Sequence, residues 1–599
     1  MKRTVILTLL LVSAVMAYAQ QGTKLTILHT NDFHSHLQGF APESAYTPGV
    51  ADNDPTLGGL ARIAGIIASV REENPGSTLV VDGGDALMGT LFQALEPGTG
   101  FQLPMMKKAG YDVIAVGNHD FDFGPEAYAG IIRKGKERGE LPVMLLGNGI
   151  TDPDDPADDA FEEVMRDGLV RPWVINEVNG IRVGLFSLLG EDADESAPYA
   201  VPIIFEKNVK AAKRLVKELK NQDCDVIICL SHSGVSRDKK GNWAGEDALL
   251  ARKVKGIDVI ISGHTHIYLE EPLIVNGVPI VSVGTAGTHV GKMDLTVTGA
   301  GANLEGYTII PVNDAADAVA SVQEEIEKQK LEIDKSVLAP LRLSYDMPVA
   351  VAPFRMETDE HGDLAASNLG ALIADAIHYY VNDFGPGTDI AMVAAGVIRD
   401  PILPGTQSVA DIFRVMSLGS GNSIVPGYPL SRLWVTGREL KNIAEILIMS
   451  SASTPAHFCY YSHLRIEYDP KGGLLNKIRK MEFTDRDGNV AEVNTSKDDK
   501  RLYSIVANSY MLDFVGIIKK MSLGLINVVP KDGEGIPVTD MDLTVIDFDP
   551  EAPGIQQGQE WLSLVRYLQQ LPPGKDHELP VIPEDYRVPE RSLVVTDRK

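Results

Sequence analysis

Cysteine is scarce in this chain, with three residues among 599. Cys224 and Cys229 stand five positions apart in one predicted strand and Cys459 lies elsewhere, so we expect no disulfide framework. Basic residues are also few, because 55 Lys and Arg face 82 Asp and Glu and the formal net charge is −27. Such a chain lacks the basic face that binding to nucleic-acid polymers or anionic membranes requires. An anionic ligand would therefore need local positive charge, such as a metal ion or a placed arginine.

Beyond its N-terminus the chain also lacks a run of about twenty apolar residues, the length that a membrane-spanning helix needs. Residues 1–19 combine a basic start, an apolar segment from Thr4 to Val15 and the small-residue pattern Ala17-Tyr18-Ala19. We therefore predict a cleaved signal peptide and a mature protein that is exported, periplasmic or secreted, without stable membrane insertion. An uncleaved membrane anchor is the alternative.

The chain is too long for a single core, and we expect two domains. Between residues 24 and 313, short β-branched runs alternate with helical patterns, which predicts a layered α/β domain. The charged segment 314–340 is interpreted as a helical linker. A second domain is predicted over 341–571, followed by a proline-rich extended tail over 572–599.

Potential metal ligands follow five predicted strands of the first domain. The densest group is Gly117-Asn118-His119-Asp120-Phe121-Asp122, directly after the apolar run 112–116. The other four groups are Asp32-Phe33-His34, Asp85, Ser231-His232 and Gly263-His264-Thr265-His266, and His29 also lies at a strand end. Open α/β sheets hold ligands beyond the carboxyl ends of their strands, so we expect these groups to converge. Each group alone could instead be a helix cap, a turn or a core histidine.

The kinds of ligand indicate the chemistry. Imidazole and carboxylate groups suit zinc, iron, manganese or cobalt. The set has too many oxygen and nitrogen ligands for one tetrahedral zinc ion but suits two ions that share a bridging carboxylate. Two-metal sites stabilise both the attacking and the leaving oxygen of an in-line phosphoryl displacement. The sequence therefore predicts metal-assisted hydrolysis of a phosphoester.

Taken in order, these motifs resemble the calcineurin-type metallophosphoesterases, and more narrowly the bacterial 5′-nucleotidase / 2′,3′-cyclic phosphodiesterase / UDP-sugar hydrolase family. The resemblance implies an α/β/β/α-layered metallophosphoesterase domain followed by a second, α+β 5′-nucleotidase C-terminal domain. It implies that one metal ion is held by Asp32, His34 and His266, that the other is held by Asn118, His232 and His264, and that Asp85 bridges the two. It also implies attack on phosphorus by a metal-bound water. His119 would face the phosphoryl group and Asp122 would orient His119, whereas Asp120 would lie outside the site.

The second half of the chain matches the family less closely. Ala395-Gly396-Val397-Ile398-Arg399 resembles its Gly-Gly-Ile-Arg block, which implies that Arg399 contacts the substrate phosphate; a surface salt bridge is the alternative. One of the two rings that hold the base is replaced by Leu418, and the other is assigned to Tyr510. The family's Gly-Gly-Asp-Gly segment is replaced by Leu512-Asp513-Phe514-Val515-Gly516. These departures leave the choice of substrate open.

The first hypothesis is therefore an exported dimetal hydrolase, 5′-nucleotidase-like, that releases phosphate from a small-molecule nucleotide. The same site could act on cyclic nucleotides, on UDP-sugars or on a thiosulfate group of a sulfur-carrier protein. The alternative that is not an enzyme is a catalytically idle binding protein with the same fold. The sequence does not distinguish zinc, manganese, iron and cobalt and does not indicate an oligomeric state.

Overall fold

The computed structural model describes residues 22–40, 47, 54–299, 301–358, 363–419, 424–512, 528–575 and 578–596. The chain divides into two compact units, Met1–Leu331 and Glu332–Lys599. The division falls inside the segment that the sequence analysis interprets as a linker. The predicted signal peptide, residues 1–19, lies outside the described residues.

The first unit contains seventeen described strands and nine described helices. The strands are β1 (Thr23–Thr30), β2 (Thr78–Asp82), β3 (Val113–Ala115), β4 (Val143–Leu145), β5 (Gly149–Ile150), β6 (Val170–Arg171), β7 (Trp173–Val178), β8 (Ile181–Leu189), β9 (Ile204–Phe205), β10 (Val226–His232), β11 (Ser236–Arg237), β12 (Trp243–Ala244), β13 (Val259–Ser262), β14 (Leu273–Val275), β15 (Val278–Val281), β16 (His289–Thr298) and β17 (Gly301–Pro311). The helices are α1 (Leu60–Glu73), α2 (Glu96–Thr99), α3 (Gln102–Ala109), α4 (Pro125–Arg138), α5 (Asp159–Arg166), α6 (Glu191–Glu195), α7 (Asn208–Asn221), α8 (Glu246–Lys253) and α9 (Ala320–Ile333).

Two mixed sheets form the centre of this unit. The first has the order β17-β16-β1-β2-β3-β4-β6, and its strands β1 to β4 and β6 run parallel. The second has the order β14-β15-β13-β10-β8-β7, in which β8, β10, β13 and β15 run parallel. Parallel strands end at the same edge of their sheet, so each sheet presents several loops along one edge.

The core of the unit lies between the two sheets. Apolar side chains of the first sheet, such as Ile27 and Val81, belong to the same buried cluster as Leu185, Ile228 and Ile261 of the second. A second cluster joins the other face of the second sheet to α7 and α8, while α1 packs beside β2 of the first sheet. The predicted α/β/β/α layering is therefore confirmed.

A tight hairpin joins β7 to β8 in the antiparallel register Val178↔Ile181. Its two turn residues, Asn179 and Gly180, have φ angles of 52° and 76°. Positive φ at both positions is the geometry that Asn-Gly adopts readily in a two-residue hairpin turn. The Asn-Gly pair thus accounts for the tight turn between β7 and β8.

The second unit combines sheets and helices, as expected for the α+β C-terminal domain. Its strands are β18 (Pro348–Ala352), β19 (Ile390–Ala394), β20 (Gly405–Ser408), β21 (Leu430–Thr436), β22 (Cys459–Ser462), β23 (Leu464–Gly473), β24 (Asn476–Thr484), β25 (Val490–Glu492), β26 (Leu502–Asn508) and β27 (Leu593–Val595). Its longer helices are α10 (Asn368–Phe384), α11 (Val409–Val415), α12 (Gly437–Ser451) and α13 (Glu560–Gln570). The main sheets have the orders β21-β26-β19-β22 and β25-β24-β23-β27.

The proline-rich segment is bound into this unit, which corrects the expectation of an extended tail. Strand β27 pairs in parallel with β23, and the backbone N–H of Val351 donates to the carbonyl of Pro580 over 2.8 Å. The hydroxyl of Tyr586 donates to Asp375 over 2.7 Å, and Ile582 is buried. Proline prevents hydrogen bonding only at its own nitrogen, so the residues between the prolines remain able to pair.

Among the described residues, no helix combines the length and the apolar composition that crossing a membrane would require.

Candidate dimetal site

The seven predicted ligands lie at the carboxyl ends of strands in both sheets of the first unit. Asp32 and His34 follow β1, Asp85 follows β2, Asn118 follows β3, His232 ends β10, and His264 and His266 follow β13. Contacts of 3.0 to 3.7 Å between side-chain oxygen and nitrogen atoms link all seven into one cluster. The predicted convergence is thus present in the structure.

The first group of ligand atoms comes from Asp32, His34 and His266, which lie within 4.8 Å of one another. Nε2 of His34 lies 3.0 Å from Nε2 of His266, and Nε2 of His266 lies 3.6 Å from Oδ1 of Asp32. The other ring nitrogen of His34 lies 3.0 Å from the carbonyl oxygen of Met88. If Nδ1 donates to that carbonyl, Nε2 of His34 presents a lone pair to the group, as a metal ligand must.

The second group surrounds His232. Its Nε2 lies 3.1 Å from Oδ2 of Asp85 and 3.0 Å from Oδ1 of Asn118, and its Nδ1 lies 3.0 Å from the carbonyl oxygen of Gly83. Nδ1 of His264 lies 3.0 Å from the same Asn118 oxygen. An amide oxygen, two imidazoles and a carboxylate therefore face one point, and this donor set fits a divalent transition metal.

Asp85 lies between the two groups. Its Oδ2 is 3.1 Å from Nε2 of His232 and 3.7 Å from Nε2 of His34. Asp32 also takes part in both possible ligand groups, once with His34 and His266 and once with Asp85 and His232. The side chains present thus fit two neighbouring cations with at least one shared carboxylate.

Five of the seven residues have a left-handed backbone. The φ angles are 51° at Asp32, 50° at His34, 55° at Asp85, 74° at His264 and 52° at His266. Non-glycine residues adopt this conformation rarely and at a cost of about 1–3 kcal/mol each. The loops therefore hold these side chains against their local preference, which is typical of functional sites.

Two glycines allow the loops to approach each other. A Cβ atom on Gly117 would lie 2.1 Å from Oδ1 of Asp85, and one on Gly84 would lie 2.6 Å from Nδ1 of His232. Gly84 also has a φ of +103°, which L side chains rarely adopt. The glycines preceding Asp85 and Asn118 are therefore required by close packing at the site.

Burial makes the protonation of the cluster interdependent. Burial raises the pKa of Asp32 to about 7. Burial also opposes ionisation of Asp85, but nearby His232 and His119 hold the pKa of Asp85 well below its ordinary value. Burial lowers the pKa of His232, but Asp85 outweighs it and raises that pKa to about 10. A divalent cation bound to these residues would compensate the charge of the Asp85 carboxylate in place of a proton on His232.

His119 lies beside the cluster and pairs with Asp122. Nδ1 of His119 is 2.8 Å from Oδ2 of Asp122, and its ring lies edge-on to His34 with 5.4 Å between ring centroids. The backbone N–H of His119 donates to Oδ1 of Asp85 over 2.9 Å. Asp122 therefore holds the imidazole of His119 in a fixed orientation beside the cluster.

Asp120 and His29 have structural roles. The carboxylate of Asp120 accepts backbone N–H bonds from Leu87 over 3.1 Å and from Gly117 over 2.8 Å. His29 lies within β1, where it pairs with Gly291, and its Nε2 lies 3.1 Å from the hydroxyl of Tyr307. His29 thus lies near the end of its strand, as predicted, and its ring contacts Tyr307.

In the second unit, Arg399 follows a 3₁₀ turn over Ala395–Val397 and is half-buried. Within the described parts of the chain, no acidic side chain forms an ion pair with Arg399, while its neighbour Asp400 pairs with Arg414 at 3.1 Å. Tyr510 follows β26, and its ring stacks on Tyr428 at 5.3 Å between centroids with 13° between planes.

Comparisons with known proteins agree with these two units. Residues 25–268 match the calcineurin-like phosphoesterase family, and residues 348–517 match the 5′-nucleotidase C-terminal domain. The chain belongs to the calcineurin-like phosphoesterases that carry a 5′-nucleotidase C-terminal domain. The predictions of this family and of a phosphoester hydrolase are confirmed.

Relatives of this family span most of the chain. The 5′-nucleotidase of Bos taurus is 25% identical over 85% of this chain and 86% of its own length. The trifunctional nucleotide phosphoesterase protein YfkN of Bacillus subtilis is 24% identical over 81% of this chain, which spans only 32% of that relative. A 5′-nucleotidase precursor from Thermus thermophilus has the same fold, with a TM-score of 0.69 and 22% identity over 96% of this chain and 100% of that chain.

Two neighbours of the family's site residues were not predicted from the sequence. The amide of Asn31 donates to Oδ2 of Asp32 over 2.7 Å and to the carbonyl of Gly284 over 2.6 Å, so Asn31 orients the Asp32 carboxylate. Tyr428 covers one face of Tyr510, and its backbone N–H donates to Leu418. The adjacency of Asn31 to Asp32 was visible in the sequence, whereas nothing in the sequence paired Tyr428 with Tyr510.

Proposed function

We propose that this protein is an exported dimetal phosphohydrolase that acts as a 5′-nucleotidase, releasing phosphate from nucleotides. The observation that carries the proposal is the convergence of seven oxygen and nitrogen ligands beside the His119–Asp122 pair. The names of the relatives, 5′-nucleotidase and nucleotide phosphoesterase, support a nucleotide substrate.

In this proposal the two metal ions are divalent zinc, manganese, iron or cobalt. Asp32, His34 and His266 would hold one ion, Asn118, His232 and His264 would hold the other, and Asp85 would be shared by both. When bound, the ions supply an activated water of lowered pKa and neutralise charge on the phosphoryl oxygens.

The chain's own residues then act on the substrate. His119 faces the phosphoryl group and stabilises the charge that develops there or protonates the leaving oxygen. Asp122 accepts the Nδ1–H of His119, and so directs Nε2 toward the substrate. Because the cluster is buried, water screens charges less there. The contact of His119 with the phosphoryl group and its hydrogen bond to Asp122 are therefore both stronger.

We propose that residues 24–313 form the catalytic domain, 314–340 the linker, and 341–571 the substrate-binding domain. Arg399 would bind the substrate phosphate, since a guanidinium has the geometry for two parallel bonds to it. Tyr510 would stack on the base, a contact worth about 1–3 kcal/mol.

Export follows from the N-terminal pattern of residues 1–19. We propose cleavage near Ala19 and Gln20 and a periplasmic or secreted mature enzyme. Mass spectrometry of the protein recovered from the extracytoplasmic fraction tests this: a mature N-terminus at Gln20 supports cleavage, and an intact Met1 contradicts it.

The activity is tested with the purified mature chain after chelation and after reconstitution with manganese or zinc. We expect release of phosphate from nucleoside monophosphates only in the reconstituted protein. Cyclic nucleotides, UDP-sugars and a thiosulfate-bearing carrier protein are assayed in parallel, and preferential turnover of one of these would replace the nucleotidase assignment. Absence of turnover on every substrate by the metal-loaded protein would favour an idle binding protein.

A further inference from the structure

An exposed carboxylate contacts a proposed metal ligand from outside the cluster. Oδ2 of Asp192, in the short helix α6, lies 3.2 Å from Nε2 of His264. The Asp192 side chain is 73% exposed, whereas that of His264 is 12% exposed. Asp192 therefore lies at the edge of the site, where it can be changed without opening the core.

The contact determines which ring nitrogen of His264 can bind a cation. Nδ1 of His264 is directed into the cluster, 3.0 Å from Oδ1 of Asn118. A neutral imidazole carries one proton, and Asp192 can only accept it when ionised. When Nε2–H donates to Asp192, the lone pair of Nδ1 is directed at the metal position.

The position of Asp192 is built by neighbouring groups. The carboxylate of Glu246 accepts the backbone N–H bonds of Glu191 over 2.9 Å and of Asp192 over 3.0 Å. The same carboxylate accepts a hydrogen bond from the side-chain amide of Asn208 over 3.0 Å. That amide also donates to the hydroxyl of Ser233 over 2.8 Å. The start of α6 is thereby tied to the segment that follows His232.

We infer that Asp192 is a positioning residue for the proposed dimetal site: it fixes the tautomer and the ring orientation of His264 so that Nδ1 binds the metal. This inference rests on the proposed function. Carboxylate partners of metal-bound histidines typically change metal affinity by about 10–100-fold. Because Asp192 is exposed to solvent, we expect an effect of about tenfold, at the lower end of that range.

Cobalt binding tests the inference without relying on turnover. Purified chain, stripped with a chelator, is titrated with Co²⁺, and both the dissociation constants and the visible absorption spectrum are recorded. The variants are Asp192→Ala, which removes the acceptor, and Asp192→Asn, which keeps an acceptor oxygen but loses the charge. Asp194→Ala is the matched control, because Asp194 lies in the same helix and its removal changes the net charge equally.

We expect Asp192→Ala to weaken one of the two cobalt sites about tenfold and to change its spectrum. The cobalt affinity of Asp192→Asn should lie between those of Asp192→Ala and wild type. The cobalt affinity of Asp194→Ala should equal that of wild type. Equal weakening by Asp192→Ala and Asp194→Ala would overturn the inference in favour of a general charge effect, and wild-type affinity and spectrum in Asp192→Ala would overturn it outright. Wild-type protein that binds no cobalt would refute the proposed function as well.

Discussion

The Nε2 atoms of His34 and His266 lie 3.0 Å apart although the two residues are separated by 232 positions in the chain. Two ring nitrogens at this distance repel unless a proton or a cation lies between or beside them. Oδ1 of Asp32 lies 3.6 Å from Nε2 of His266, so a carboxyl group adjoins the same pair of rings. We therefore expect a bound metal ion to stabilise the first unit.

Removal of metal should lower the melting temperature of the protein. A cation that binds only the folded chain adds about 2.7 kcal/mol of stability when its free concentration is about 100 times its Kd. Differential scanning calorimetry with a chelator and after addition of manganese measures the difference. His266→Ala should reduce this difference in melting temperature. His289→Ala should leave the difference unchanged, because the ring of His289 contacts Tyr268. Identical melting of chelated and metal-loaded wild type would contradict a structural contribution from metal.

Two buried aspartates near the site should behave differently when each is replaced by asparagine. Asp85→Asn should abolish binding of both metals and reduce turnover to background, because Oδ2 of Asp85 lies between the two ligand groups. Asp120→Asn leaves the ligands intact and disturbs only the backbone bonds from Leu87 and Gly117. It should cost about 1–3 kcal/mol of stability. Metal analysis measures the loss of metal, and denaturant unfolding measures the loss of stability. If the Asp120→Asn protein folds but binds no metal, Asp120 belongs to the metal site.

His119→Ala should lower kcat by about 10²–10⁴-fold while both metals stay bound, since a positioned proton donor contributes about this much. Asp122→Asn should cause a smaller loss, because the imidazole keeps a neighbour but loses the carboxylate at 2.8 Å. Steady-state kinetics with metal analysis of each variant provide the measurement. Unchanged kcat in His119→Ala would remove this residue from the mechanism.

Gly117→Ala should damage the site although it adds only a methyl group. The new Cβ would lie 2.1 Å from Oδ1 of Asp85, so the carboxylate or the loop must move. We expect weaker metal binding and a destabilisation of about 1–3 kcal/mol, as for overpacking of a core. Gly130→Ala is the control, because nothing lies within 4 Å of its Cβ position in α4. That change should raise stability by up to about 1 kcal/mol. Equal changes in stability and metal binding for the two substitutions would argue against a close approach of Gly117 to Asp85.

The second unit should lose stability as the pH rises through the neutral range because of Glu560. Burial raises the pKa of this carboxyl from 4.5 to about 8, and its Oε2 accepts the amide of Asn508 over 2.8 Å. Between these two pKa values the folded state keeps a proton that the unfolded state releases, so stability falls with increasing pH and levels off above pH 8. Denaturant unfolding between pH 5 and pH 8.5 measures the slope. Glu560→Gln should flatten it, and an unchanged slope would assign the pH dependence to other groups.

Much of the fold followed from local patterns. The Asn179-Gly180 turn, the β-branched runs before Asn118 and His232, and the alternation of helices and strands all depend on interactions within short segments. The proline-rich segment was interpreted less well, because pairing of β27 with β23 joins residues more than a hundred positions apart. Strand addition at a sheet edge is set by the partner strand, which composition does not reveal.

The sequence by itself determined which chemical groups stand at the strand ends, because strand patterns and ligand types are properties of a few consecutive residues. Only the tertiary structure decided which of these groups meet and which neighbours orient them. The contact of Asp192 with His264 and the stacking of Tyr428 on Tyr510 depend on sheet order and loop path, and both are results of long-range packing. A single acidic residue in an acidic run carries no local signal of the imidazole that it will contact.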